Sequence, residues 1–124
     1  MKNREAVVRD ELAATLRKDG YVQVEKRVPL NCEGGRRRQS RSIDIYAQIH
    51  KQSYIIEVKQ ASRYHHALGQ LMAYLALCDK EAELIMVLYG TPWELRCYGA
   101  EAKQVLTHLS SRYKMKITLK LEPG

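Results

Sequence analysis

The residues of this chain best suited to chemistry by type and spacing are two carboxylates and an amine: Asp44, Glu57 and Lys59. Asp44 stands in Ser42-Ile43-Asp44-Ile45, and Glu57 and Lys59 stand in Ile55-Ile56-Glu57-Val58-Lys59, two isoleucine-rich stretches that read as β-strands. A two-residue turn at His50-Lys51 pairs them so that Ile49 faces Gln52, Ala47 faces Tyr54 and Asp44 faces Glu57. Opposed residues in an antiparallel pair have Cβ atoms about 4.5–5.5 Å apart, which is unfavourable for two like charges. Lys59, two residues beyond Glu57, projects from the same face. Two carboxylates at this spacing suit a hard, oxygen-seeking cation such as Mg²⁺, which keeps several waters and lets a phosphate complete its octahedron. The expectation depends on register, since a one-residue slip sends Asp44 to the other face. The bland reading is an exposed Asp44 beside an ordinary Glu57–Lys59 pair, but an unpaired charge among isoleucines is expensive.

The elements that must position these residues follow from periodicity. Val8, Leu12, Thr15 and Leu16 share a helical face, Asn3 is placed to cap and Gly20 to terminate, so residues 4–19 are expected to be an amphipathic helix. Tyr21 to Leu30 alternates valines with polar residues, as a half-buried strand does. Ser42 to His50 places Ile43, Ile45, Ala47 and Ile49 on one face, and Tyr54 to Lys59 is apolar enough to be covered on both. His65 to Cys78, with Leu68, Leu71, Met72, Leu75 and Leu77, predicts a buried helix. Leu84 to Tyr89 predicts a compact strand closed by Gly90-Thr91-Pro92, Trp93 to Tyr98 another short strand, Gly99 to Tyr113 a helix, and Met115 to Leu121 a final strand with one wet face. The order is α-β-β-β-α-β-(β)-α-β, an α/β fold with a mixed central sheet flanked by helices.

At 124 residues the chain is one domain, too short for two self-sufficient cores. No apolar run approaches the roughly 18–20 residues a membrane span requires. The first residues, Met1-Lys2-Asn3-Arg4-Glu5, are not followed by an apolar stretch with a cleavage site, so a secretory signal is not expected. Cys32, Cys78 and Cys97 are odd in number and scattered, which suits reduced thiols in a cytoplasmic protein better than a disulfide framework. Net charge is +7, and residues 25–63 hold most of it with nine bases against four acids. Four arginines, Arg36, Arg37, Arg38 and Arg41, follow the pair Gly34-Gly35. Such a loop can neutralise phosphates and release counterions, the main sequence-independent source of nucleic-acid affinity, though a solvated charge run has the same composition.

Ser42-Ile43-Asp44, twelve residues, then Glu57-Val58-Lys59 resembles the signature of the PD-(D/E)XK nuclease superfamily, which includes restriction endonucleases, Holliday-junction resolvases and RecB-type nucleases. Gln70-Leu71-Met72-Ala73-Tyr74 resembles the Q-x-x-x-Y motif of RecB-type members, and Gln70 and Tyr74, four residues apart, share a helical face. The resemblance spans about residues 4–90, and its one departure is Ile43 where the name-giving proline would stand. It implies a restriction-endonuclease-like core (αβββαβ) and a Mg²⁺-dependent endodeoxyribonuclease, with Mn²⁺ able to substitute, acting on duplex or branched DNA; one active site per small domain and two strands to cut make a C2 homodimer the expectation. By the same resemblance Asp44, Glu57 and the Val58 carbonyl hold the metal, Lys59 orients water or offsets developing charge, and Gln70 and Tyr74 hold the substrate strand or the catalytic residues. Many members add a glutamate from the first helix; here Glu5 and Glu11 compete, and Glu5 shares the buried face of Val8 and Leu12.

The alternatives are a nucleic-acid-binding module without turnover and a scaffold on which the arginines are incidental. His65 and His66 point about 100° apart on a helix and do not readily reach one ion. Tyr64 and Trp93 have rings able to stack on bases, but a lone aromatic reads first as packing.

Overall fold

The computed structural model describes residues 3–29, 42–77 and 81–123. The arginines Arg36, Arg37, Arg38 and Arg41 lie outside them, as do Cys32 and Cys78. The fold is α/β. Its elements are α1 (Arg4–Lys18), β1 (Val22–Pro29), β2 (Ser42–Ile49), β3 (Gln52–Gln60), a single 3-10 turn (Ala61–Arg63), α2 (Tyr64–Leu77), β4 (Glu83–Gly90), α3 (Pro92–Tyr113) and β5 (Ile117–Pro123). The five strands form one mixed sheet in the order β1-β2-β3-β4-β5. Strands β1, β2 and β3 are antiparallel neighbours, and β3, β4 and β5 are parallel.

Two cores sandwich the sheet. On one face α2 and α3 contribute Ala67, Leu71, Tyr74, Ala102 and Leu106 against Ile55, Leu84, Met86 and Leu88. On the other, α1 lays Val8, Leu12 and Ala13 over Ile45, Ala47, Ile56, Val58, Val87 and Tyr89. Alternate residues of β3 and β4 thus serve opposite cores, which is why those strands are nearly continuously apolar. Helix α1 starts where Asn3 Oδ1 accepts from the Ala6 N–H at 2.8 Å and ends at Asp19, before Gly20 at φ 94°.

The β2–β3 turn consists of His50 (φ 50°) and Lys51 (φ 66°), both left-handed, the conformation a two-residue hairpin needs to match strand twist. It sets the register Ile49↔Gln52, Ala47↔Tyr54 and Ile45↔Ile56.

Three local expectations are corrected. Trp93 to Tyr98 is not a strand but the opening of α3, which begins at Pro92 rather than Gly99. Thr91 caps it by accepting the Glu94 N–H at 3.2 Å, while Glu94 Oε1 accepts the Thr91 N–H at 3.2 Å and Pro92 occupies the first turn. On α2, Met72 and Leu75 are 41% and 44% exposed, so that helix is buried on one side only. Ile43 does not share the face of Ile45 and Ala47, since it packs into the α2/α3 core and they pack under α1.

Candidate active site

The displaced Ile43 marks the point where the sheet forks. Strand β2 stays paired with β1 as far as Pro29↔Ser42, but its ladder with β3 runs only from Ile49↔Gln52 to Ile45↔Ile56. At the next position side chains replace the backbone ladder. The Asp44 N–H donates to Glu57 Oε1 at 3.1 Å, and the Val58 N–H donates to Asp44 Oδ2 at 2.8 Å. Each carboxyl therefore binds an amide of the opposite strand, and the two acids are locked face to face in the crotch of the fork.

Glu57 is the buried polar residue of the core, only 3% exposed. Burial, and then the Asp44 charge beside it, push its carboxyl up to about 9, although the nearby Lys59 pulls the other way. At neutral pH Glu57 therefore holds a proton. The side-chain hydrogen bond it makes with Asp44 is the natural seat for that proton, since two carboxylates this close are not both ionised without a counter-charge.

Lys59, partly buried, turns its Nζ to Glu5, 3.2 Å from Oε1 and 3.5 Å from Oε2. Glu5 is in the first turn of α1, so that helix fixes the ammonium from outside the sheet. Glu11 is exposed on the same helix and takes no part. Around Lys59 the ends of β3 and β4 gather further charge. The Tyr89 phenol is pushed up by burial and by Glu5, against the opposing pull of Arg4 and Arg63. His66 is pushed down by loss of water and by the positive charges of His65, Arg63 and Lys59. Arg4, Arg63, Glu5 and Glu94 thus lie together about Tyr89, with Lys59 paired to Glu5.

Of the other residues singled out by the sequence, Tyr74 is buried in the α2/α3 core and Gln70 is half-buried on α2. No hydrogen bond ties Gln70 to the carboxyl pair among the described residues. One contact near the site was not foreseen: Gln60 Nε2 donates to Glu94 Oε2 at 2.9 Å, so the residue after Lys59 anchors the start of α3. That bond, followed by the Thr91 N–H, draws the Glu94 carboxyl below its usual range. The signal was present in Thr91-Pro92-Trp93-Glu94, a capping box with proline in the first turn.

As a metal centre the site is sparse. No group of three or more His, Cys, Asp and Glu gathers among the described residues. Yet the donor set fits a hard divalent cation: both groups are oxygen donors, each commits one oxygen to an amide, and the nearby Lys59 does not offset enough charge for both to ionise. A groove of about 660 Å³ between α3 and β5, lined by residues including Leu106, Ile117 and Leu121, contains neither acid. No helix of the described residues is long and apolar enough to cross a membrane. No protein-family model matches the chain, and no match was found among curated proteins.

Proposed function

We propose that this protein is a divalent-metal-dependent endonuclease of the PD-(D/E)XK kind, hydrolysing DNA phosphodiester bonds in the cytoplasm with Mg²⁺, which Mn²⁺ can replace. The observation that carries the reading is the fork, where two opposed carboxyls are clamped by amides at 3.1 and 2.8 Å with a lysine beside them. A purely structural pair at this position would be expected to be one acid and one base. Two acids sharing a proton make instead a place where a cation can replace that proton.

Asp44, Glu57 and the carbonyl of Val58 would hold the ion. When bound, it supplies positive charge to a phosphoryl oxygen and to the attacking water. The chain's own residues do the rest. Lys59, steadied by Glu5, presents its ammonium to the anionic oxygens and offsets charge as it develops. Glu5 is a positioning residue, since its carboxylate contacts Lys59 rather than the acid pair. Arg4 and Arg63 attract the backbone, and Arg36, Arg37, Arg38 and Arg41 add phosphate neutralisation. Gln70 is better placed than Tyr74 to touch a substrate strand, because Tyr74 is already committed to the core. One domain carries one acid pair, so cutting both strands takes two copies, most simply a C2 homodimer.

The test is incubation with supercoiled plasmid, linear duplex and a four-way junction, in Mg²⁺ and in chelator. The expected result is cutting only with the metal, lost in Asp44→Ala and Glu57→Ala while binding persists. Undiminished cutting by Glu57→Ala rejects the mechanism, and binding without cutting by the wild type identifies a binding module on the same scaffold. Light scattering should read near twice the 14.3 kDa protomer for the dimer.

A further inference from the structure

Beside the candidate site the surface carries more aromatic rings than packing requires. Trp93, in the first turn of α3, is 58% exposed. Its indole meets the Tyr98 ring edge-on, with centroids 6.2 Å apart at 87°. This contact braces the indole while most of its surface stays open to water. The next residue, Glu94, is the one tied to Gln60 at the end of β3, so Trp93 belongs to the same corner as Lys59. A second ring group opens α2. Tyr64 and His65 meet edge-on at 6.0 Å, and His65 and His66 lie tilted at 4.4 Å. Both histidines are exposed, and Arg63 directly precedes Tyr64. Tyr64 lies near α3, where Glu101, three residues beyond Tyr98, helps push its phenol up after burial. Tyr64 and Tyr98 both rest on the α2/α3 core, which gives the rings a rigid floor.

Exposed rings on rigid supports, with Arg63 and Lys59 close to His66 and next to the site proposed for phosphate chemistry, match the way proteins hold unpaired bases. Each base stacks on a ring while the backbone follows positive charge. A closed duplex offers these rings nothing, since its bases are already stacked on one another.

We propose that Trp93 with Tyr98, and Tyr64 with His65 and His66, form a stacking surface for the unpaired bases of a single-stranded DNA segment, so that the substrate is DNA with an unpaired stretch beside the cut. The substrate part rests on the nuclease reading; the stacking surface does not.

Trp93 is the single tryptophan of the chain, so its fluorescence reports on this surface alone. The experiment titrates oligothymidylate and, separately, a hairpin duplex into the full chain in chelator, following tryptophan emission and the anisotropy of a dye on the DNA. Oligothymidylate should quench Trp93 as it binds, and the duplex should bind with little quenching. In Trp93→Ala the ratio of oligothymidylate to duplex affinity should fall roughly 10- to 100-fold, the effect of one lost stacked base, and Trp93→Phe should restore most of it. Binding of oligothymidylate without quenching, no binding of it at all, or an equal loss of both affinities in Trp93→Ala each overturns the proposal. Adding Mg²⁺ then separates the two readings. Quenching without cleavage keeps the stacking surface and rejects the nuclease, whereas cleavage of closed duplex as fast as of a flap rejects the substrate assignment alone.

Discussion

The two ends of the β2–β3 hairpin both break a local rule, and they break it differently. At the closed end His50 and Lys51 adopt left-handed backbone, which costs a non-glycine residue about 1–2 kcal/mol each. At the open end the backbone ladder gives way to two buried acids that each occupy an amide of the other strand. The strain at the turn fixes the register on which the fork depends, because a two-residue loop allows one alignment and that alignment sets Asp44 opposite Glu57. At the fork the acids hold β2 to β3 through those two bonds while burying one carboxyl beside the other's charge. A pair of isoleucines there would remove the buried charge but leave the Asp44 and Val58 N–H groups without these acceptors.

That contrast can be broken most severely at the fork. Asp44→Ala or Glu57→Ala should lower metal-dependent DNA cleavage at least about 100-fold in a gel assay, the scale of losing a principal electrostatic contact to the reacting centre. Glu57→Gln should do the same to cleavage yet raise stability to urea at pH 8 in chelator, by about 1–3 kcal/mol, because the amide needs no proton to be buried. An unchanged or lowered midpoint would mean the acid contributes to the fold.

The pH dependence sharpens the same point. Glu57 titrates near 4.5 when unfolded and at about 9 when folded. Between those values the folded chain holds a proton that the unfolded chain has released. The stabilising contribution is therefore full below the unfolded value and is lost as pH rises through the folded one, with a slope of up to about 1.4 kcal/mol per pH unit. Urea midpoints in chelator should fall across that window, and Glu57→Gln or millimolar Mg²⁺ should flatten the fall. A flat wild-type profile would show that the pair is not strained. Glu5→Gln should act more mildly, lowering cleavage about tenfold by freeing Lys59. The smallest effect belongs to the closed end: His50→Asn with Lys51→Gly should stabilise by about 1 kcal/mol and leave cleavage alone.

Much of this was legible in the sequence because one short turn determines it. Once a two-residue turn at His50-Lys51 is supposed, the opposition of Asp44 and Glu57 follows by counting, and the structure has that turn and register. Glu5 was separable from Glu11 because helix periodicity places Glu5 with Val8 and Leu12, toward the end of β3 where Lys59 waits. The break in alternation at Ile43 was not legible, since strand patterning assumes a continuous backbone ladder and here carboxylates interrupt it. Trp93 to Tyr98 was misread because Gly90-Thr91-Pro92 was taken as the end of a strand only, although Thr91 and Glu94 were spaced to begin a helix. Gln70 and Tyr74 show the limit of spacing: four residues apart does place them on one helical side, but that side also faces the core.

The amides that clamp the acids belong to the main chain of residues 44 and 58. Every amino acid but proline supplies such a group, so the neighbouring letters are free to drift so long as they remain apolar. A lineage can then rewrite nearly all of both strands and keep the acids in place. What has to stay is the strand pairing that sets one carboxyl opposite the other.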